Sequence, residues 1–528
     1  MDNPHVFVTL GDVTHVECDA WMLPSDRDYS VTEGWLTAVP ALCGRIEDSH
    51  AEDFGSGNVL ATSVVGWIDG LPLPILTAVP FEGVRSKVDL IELGNAVRDF
   101  VRVGAEQAKK RQPKPRRTKH LLAMPSFGTA GGGGQLKRGE VLQVLLDNAQ
   151  AASVEFDVDV VVVLRDDRMF ALAQQLRKRS AKTWAVLDVD LLNTAKGLAV
   201  KARDGKLVPF MGAGVSVSAG GPTWGELIRA LALGVGLAQS DVDLLVDSKH
   251  GALDQAAYLR ELYRQQRSHL TDGGFGEAVA QAVRLDRYGL APALLASLRT
   301  EQAITLNYDT LFELAAKDAD DKRTVIPNDG SDIVSDKWLL KLHGSVSRPD
   351  SIVLTRDDYL GYSANREALS AIVKANLITH HLLFVGFGLA DDHFHQIIHD
   401  VRRALPETSG GTEFATALTM RQDPLAETLW RKQLKLVPMG PADGAIPTAG
   451  RRLEIFLDAL LAYATDSHSY LLHNDFESSL EVDEQALRRK VLAFTATIGL
   501  QERAVPAWAV IERMFESLGG DQVDAVRP

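Results

Sequence analysis

Four short apolar runs in the middle of the chain each stop at glycine or a polar residue: Leu207–Met211 at Gly212, Ala303–Leu306 at Asn307, Leu339–Leu342 at His343 and Leu382–Val385 at Gly386. Helical periodicity fills the intervals, beginning with a helix to about Ala202. Short, continuously apolar strands alternating with helices fit a parallel sheet covered by helices on its faces. In such a sheet ligands bind beyond the carboxyl ends of the strands. The residues after each run are therefore the ones able to meet in one crevice.

The chain has 528 residues, too many for one core of ordinary size. Alternating apolar positions at Val6, Val8 and Leu10, a strand at Leu121–Met124, and the β-branched run Val158–Leu164 before a helical pattern at Met169–Leu176 read as one α/β domain over 1–185. The four runs lie in a second, Rossmann-like parallel-sheet domain over 186–440. A Pro/Gly-rich stretch at Pro438–Gly450 reads as a linker. After it Leu453, Phe456, Leu457, Leu460 and Leu461, and later Leu487, Val491 and Phe494, lie at helical spacing. Residues 441–528 are thus expected to be a helical segment for packing or oligomerisation.

A formal charge of −14 argues against general binding to polyanions, which needs a broad basic surface. The basic run Lys109–Lys119 reads as a solvated loop. Cys18 and Cys43, the two cysteines, can build neither a disulfide framework nor a four-cysteine zinc site, and they fit a reducing cytoplasm. No run of about 18 apolar residues occurs, and the N-terminus has no basic stretch before an apolar core. Membrane spanning and secretion are disfavoured.

Each strand end has a chemical and a structural reading. Gly212-Ala213-Gly214-Val215-Ser216 lets a phosphate-bearing ligand approach backbone amides, or is simply a turn. Thr223 and Glu226 have the spacing of a capping box opening the next helix. Asn307 can orient ribose or water through its amide, or serve the turn. Asp309 can face a ligand or cap the helix that follows. An imidazole suits His343 to general-base work, against the alternative of a core histidine. His395 and His399, four apart beside Asp391-Asp392-His393, have metal-ligand spacing, but the Asp391–Asp392 pair equally suits a helix cap.

Taken together and in this order, these motifs resemble the sirtuins, and most closely the sirtuin-like NADases of bacterial anti-phage defence. Gly212-Ala213-Gly214-Val215-Ser216 is similar to the family's GAG-x-S nucleotide loop, Thr305-Leu306-Asn307-Tyr308-Asp309 to its T-x-N-x-D strand end, and His343-Gly344 to its catalytic His-Gly. Gly386-Phe387-Gly388-Leu389 is similar to the later loop that holds the adenosine side; Gly388 stands where many relatives have serine. The resemblance implies NAD as substrate, with Asn307 and His343 catalytic and Gly212, Ala213, Gly214, Ser216, Thr305, Asp309, Gly386 and Gly388 contacting it. It further implies cleavage of the nicotinamide–ribose bond to nicotinamide and ADP-ribose or a cyclised product, in a regulated homo-oligomer acting in antiviral defence.

No metal is expected, since the deacylases of the family carry a four-cysteine zinc module that this chain cannot make. An NAD-dependent deacylase or ADP-ribosyltransferase is one rival reading, and a non-catalytic nucleotide sensor is another. No G-x-x-x-x-G-K-[ST] string occurs, so any ATP-driven step needs a separate ATPase partner subunit.

In the first domain Gly11-Asp12-Val13-Thr14, Asp19-Ala20-Trp21-Met22 and Pro125-Ser126-Phe127-Gly128-Thr129 resemble the macro domain, a module that commonly binds ADP-ribose. The resemblance implies an ADP-ribose-like ligand; Gly131–Gly134 can wrap a diphosphate through backbone amides or form a generic flexible hairpin. Pro24-Ser25-Asp26 replaces the asparagines of active members, which favours binding over hydrolysis.

Overall fold

The computed structural model describes residues 3–520 except 47, 50–51, 81–82, 114–115, 130–136, 181, 329–334, 390, 405–413 and 432. Two compact units result: Met1–Lys196 together with Asp458–Pro528, and Gly197–Leu457. Both are α/β.

In the first unit β1 (Val6–Leu10), β2 (Ala20–Ser25), β3 (Ala61–Ser63), β4 (Leu73–Ala78), β5 (Leu121–Pro125) and β6 (Asp159–Leu164) form a six-stranded sheet in the order β1-β6-β5-β2-β4-β3. Pairing is parallel except between β3 and β4. Strand β6 is buried along its whole length. Its four valines suit a strand covered on both faces, where stiff branched side chains pack well. Helix Lys87–Ala108 opens with a capping box between Ser86 and Asp89, and helix Arg138–Phe156 ends at Asp157, whose φ of 53° turns the chain into β6. Within the basic run Lys109 donates to the Phe156 carbonyl at 2.8 Å and Lys119 to Asp157 at 2.6 Å. Two of its charges thus serve the neighbouring helix end. The tract Gly131–Gly134 lies outside the described residues.

The helical segment expected over 441–528 is divided between the units. β13 of the second unit runs to Pro438 and the next helix already opens at Ile446, so Pro438–Gly450 is largely structured, with Pro447 near the first turn where a missing N–H costs nothing. From Asp458 the chain belongs to the first unit. There Asp458 is 0% exposed and accepts from Arg177 at 2.9 Å and from Trp184 at 3.2 Å, with the His5 ring at 2.7 Å. Burial alone would raise its pKa, but the Arg177 charge and the His5 hydrogen bond pull it down to about 2.

The second unit holds β7 (Leu207–Met211), β8 (Gln302–Thr305), β9 (Thr324–Ile326), β10 (Trp338–Lys341), β11 (His381–Val385), β12 (Ala415–Thr419) and β13 (Leu434–Pro438). They form a seven-stranded sheet in the order β13-β12-β11-β7-β8-β10-β9, with parallel pairing. From β7 the chain moves outward through β8 to β9 at the edge, steps back to β10 between them, then returns across β7 to β11 and continues the other way. The strand order therefore reverses beside β7, where doubly wound sheets leave a crevice. Val208, Phe210, Ile304, Leu340, Leu382 and Phe384 fill the core. Between β7 and β8 the helices Trp224–Gly234, Ala252–Gln266 and Phe275–Val283 make a second apolar cluster, around Leu231, Leu259, Tyr263 and Phe275. The first of these helices opens with the expected Thr223–Glu226 capping box. Among the described residues no helix is long and apolar enough to cross a membrane.

Candidate functional site

The strand ends are level. Met211 pairs with Thr305 on one side and Val385 on the other, and Thr305 pairs with Lys341. Residues that follow these positions by equal steps therefore emerge at one edge of the sheet. That edge carries Gly212–Ser216, Asn307–Asp309, His343 and Gly386–Gly388.

The two glycine loops fold onto each other. The Gly212 amide donates to the Val385 carbonyl at 3.0 Å and the Gly214 amide to the Gly386 carbonyl at 2.9 Å. A Cβ on Gly212 would stand 2.6 Å from the Gly386 oxygen, and one on Gly214 2.6 Å from the Gly386 Cα. Gly386 has φ +63°, open to glycine and strained for other residues. The close approach demands glycine at all three positions, and the amides of Gly212 and Gly214 face protein oxygens, so they are not offered to a phosphate. Ala213 and Gly388 are exposed. A Cβ on Gly388 would meet nothing within 4 Å, so a serine fits there without rearrangement.

Ser216 is buried and bridges two strand ends: its hydroxyl donates to Asp309 Oδ2 at 2.7 Å and accepts from the Asn307 side-chain amide at 3.0 Å. Asp309 meets its structural reading as well, since Oδ1 accepts from the Leu311 amide at the start of helix Leu311–Asp318. Thr305 is buried; its hydroxyl donates to the Met211 carbonyl at 3.2 Å and accepts from the Asn307 amide at 3.0 Å. It shapes the turn, and it lines the same small cavity as Ser216, Asn307 and Asp309. Ser216, Asn307 and Asp309 line a cavity of about 10 Å³, the size of one water molecule. This trio is accordingly a compact polar floor.

Lys341, unremarked in the sequence because it sits inside an apolar run, is 1% exposed. Its ammonium donates to the Asp309 carbonyl at 2.5 Å and to Glu313 at 2.6 Å. Burial raises the Glu313 pKa against the opposing pull of Lys341. One cation thus ties the Asn307–Asp309 turn to the strand that ends in His343.

His343 is buried, with its ring edge-on to Tyr359 at 5.3 Å and Tyr362 at 6.1 Å. Asp391 Oδ2 stands 3.9 Å from His343 Nε2 and accepts from the Tyr359 hydroxyl at 2.8 Å. Asp391 Oδ1 accepts from the Phe394 amide, which realises the expected helix cap. Burial pushes Tyr362 up to about 12, and Tyr308 higher still. The metal reading loses His395, whose Nε2 lies 2.9 Å from the Leu389 carbonyl and whose ring packs on Trp430 at 5.0 Å. The side chains of Asp392 and His393 lie outside the described set. Among the described residues no group of three His, Cys, Asp or Glu could hold a metal ion.

Three of the four strand ends at this sheet edge, all but Gly212–Ser216, lie within a match to a known domain type. Residues 301–438 match the family model of the SIR2-like domain. The match takes in β8 to β13 of the second unit. Over 229 residues the chain is 28% identical to defense-associated sirtuin 2 of Bacillus subtilis, covering 42% of this chain and 22% of that protein. Over 216 residues it is 29% identical to the NAD(+) hydrolase ThsA of Enterococcus faecium, covering 38% of this chain and 41% of that one. The chain thus spans well under half the length of these curated relatives. A solved Oceanobacillus iheyensis macrodomain aligns with 33% of this chain and 90% of its own at 17% identity, with a TM-score of 0.26.

Proposed function

We propose that the second unit hydrolyses NAD, breaking the nicotinamide–ribose bond to give nicotinamide and ADP-ribose. The observation that carries this reading is the level register of β7, β8, β10 and β11, which sets the Ser216–Asn307–Asp309 floor and His343 along one edge beside the reversal of strand order. The match to the SIR2-like domain and the likeness to NAD(+) hydrolases support it.

The C–N bond to ribose breaks with its electron pair passing to the nicotinamide nitrogen, which neutralises the pyridinium. Water adds to the oxocarbenium-like carbon, and its proton goes to His343 as general base. Asn307, whose amide hydrogen is directed at Ser216, leaves its carbonyl oxygen to accept from a ribose hydroxyl or the attacking water. Most of the acceleration comes from holding these partners in place. Purified protein is incubated with NAD and nicotinamide is followed by chromatography, beside Asn307→Ala and His343→Ala. Turnover in wild type that is lost in both variants is expected; a silent wild type that binds NAD awaits its trigger, one that binds none sinks the assignment, and so does turnover that survives His343→Ala.

The wider setting belongs to the same proposal: a cytoplasmic homo-oligomer that depletes NAD in antiviral defence and is held silent until triggered. An ADP-ribose-like ligand at the first unit fits such control. Calorimetry with ADP-ribose tests it, and absence of heat at millimolar ligand rules it out. Asp12 there is held by Thr14 at 3.0 Å and paired with Arg165, so its carboxylate is already oriented by protein.

A further inference from the structure

We infer that Asp391, steadied by Tyr359, is a positioning residue that orients His343 and favours its protonated form. The inference rests on the proposed hydrolase reading and adds a residue to it. Three elements supply the cluster: the end of β10 gives His343, helix Arg356–Thr379 gives Tyr359, and the cap of helix Asp392–Ala404 gives Asp391.

Both oxygens of Asp391 are held. Oδ1 takes the Phe394 amide at 3.0 Å and Oδ2 takes the Tyr359 hydroxyl at 2.8 Å, while the Tyr359 ring packs edge-on against the imidazole. The same Oδ2 lies 3.9 Å from His343 Nε2, longer than a hydrogen bond and within ion-pair range. A general base gains from a carboxylate that stabilises the cation formed when it takes a proton, and such contacts commonly tighten once substrate is bound. Other groups stand around the ring. Tyr362 and Arg366 both donate to the Leu342 carbonyl, at 3.1 and 3.0 Å, and Tyr308 donates to Val353 at 2.8 Å. Arg366 also donates to Ser351, so backbone oxygens on both sides hold its charge in place. Asp391 supplies the opposing negative charge.

The test uses the full chain with labelled histidine rings, His343 being assigned by the signal lost in His343→Gln. Its titration is followed by NMR in wild type, Asp391→Asn and Tyr359→Phe. Asparagine keeps an oxygen for the Phe394 amide and removes the charge; phenylalanine keeps the ring against His343 and removes the hydroxyl. The His343 midpoint moves to lower pH in Asp391→Asn and less far in Tyr359→Phe. The pH profile of nicotinamide release moves the same way, with turnover about tenfold or more below wild type, a part of the 10²–10⁴ that general bases contribute. An unmoved midpoint in Asp391→Asn overturns the inference, whether or not NAD is consumed. A midpoint that moves in a protein that neither consumes nor binds NAD refutes the hydrolase reading and leaves the pairing intact.

Discussion

Gly386→Ala tests the contact on which the sheet edge depends. At φ +63° the new Cβ would stand 2.4 Å from the Val215 nitrogen and 2.7 and 2.8 Å from the Gly214 carbonyl carbon and Cα. These are backbone atoms and cannot rotate aside. The left-handed conformation costs about 1–2 kcal/mol for alanine, and forcing a methyl into a filled space costs about 1–3 kcal/mol more. The sum is about 2–5 kcal/mol. Gly388→Ala, two residues on, is the internal control: its Cβ meets nothing within 4 Å and no positive φ is recorded there, so stability stays within about 0.5 kcal/mol of wild type. Urea unfolding followed by tryptophan fluorescence reads both, since Trp430 packs on Phe394, whose ring in turn meets Phe387 of this loop. Nicotinamide release should fall in Gly386→Ala and persist in Gly388→Ala. Equal urea midpoints for the two variants refute the argument that loop contact requires glycine.

Asp458→Asn should cost about 3–5 kcal/mol, because it strands the buried Arg177 without its carboxylate; a loss under about 1 kcal/mol by urea titration refutes this. Asp458 has a depressed folded pKa, about 2 against 3.8, so its contribution is fully present above 3.8 and is lost as pH falls toward 2. Lys341→Met should lower stability by about 3 kcal/mol through the unpaired Glu313, and adding Glu313→Gln should recover part of that in the same assay. Burial, with Lys201 and Lys435 nearby, lowers His381 from 6.5 to about 4. The unfolded chain therefore binds the extra proton between those values, and wild type should lose stability from pH 6.5 to 4 relative to His381→Gln; parallel pH curves for the two would refute it.

Strand existence and order of chemistry were legible because apolar runs that end in glycine, asparagine and histidine carry their meaning locally. The runs at 207, 303, 339 and 382 became β7, β8, β10 and β11 within a residue of their expected ends. Partnership was not legible. Gly212 and Gly214 suggested amides offered to phosphate, but the need for glycine comes from Gly386, far along the chain, and appears only when the two loops meet. Thr305 carries the motif letter of a ligand contact, yet its hydroxyl serves Met211 and Asn307. Asp391 showed its capping role through local spacing and hid its second oxygen, whose neighbours Tyr359 and His343 come from other elements. Helical periodicity after 441 revealed helices without revealing which unit they join, because the partners that bury them, such as Arg177 and His5 around Asp458, lie far away in the sequence.

The buried carboxylate also sets an order of events during synthesis. Arg177 leaves the ribosome 281 residues before Asp458, a gap of roughly 14 to 56 s at ordinary elongation rates. Throughout that interval the first sheet has its strands but lacks the anion that neutralises Arg177. The segment that forms the second unit is made entirely within this window, as one continuous stretch. A nascent chain stalled at the end of the window would present a completed second unit on an uncompleted first one.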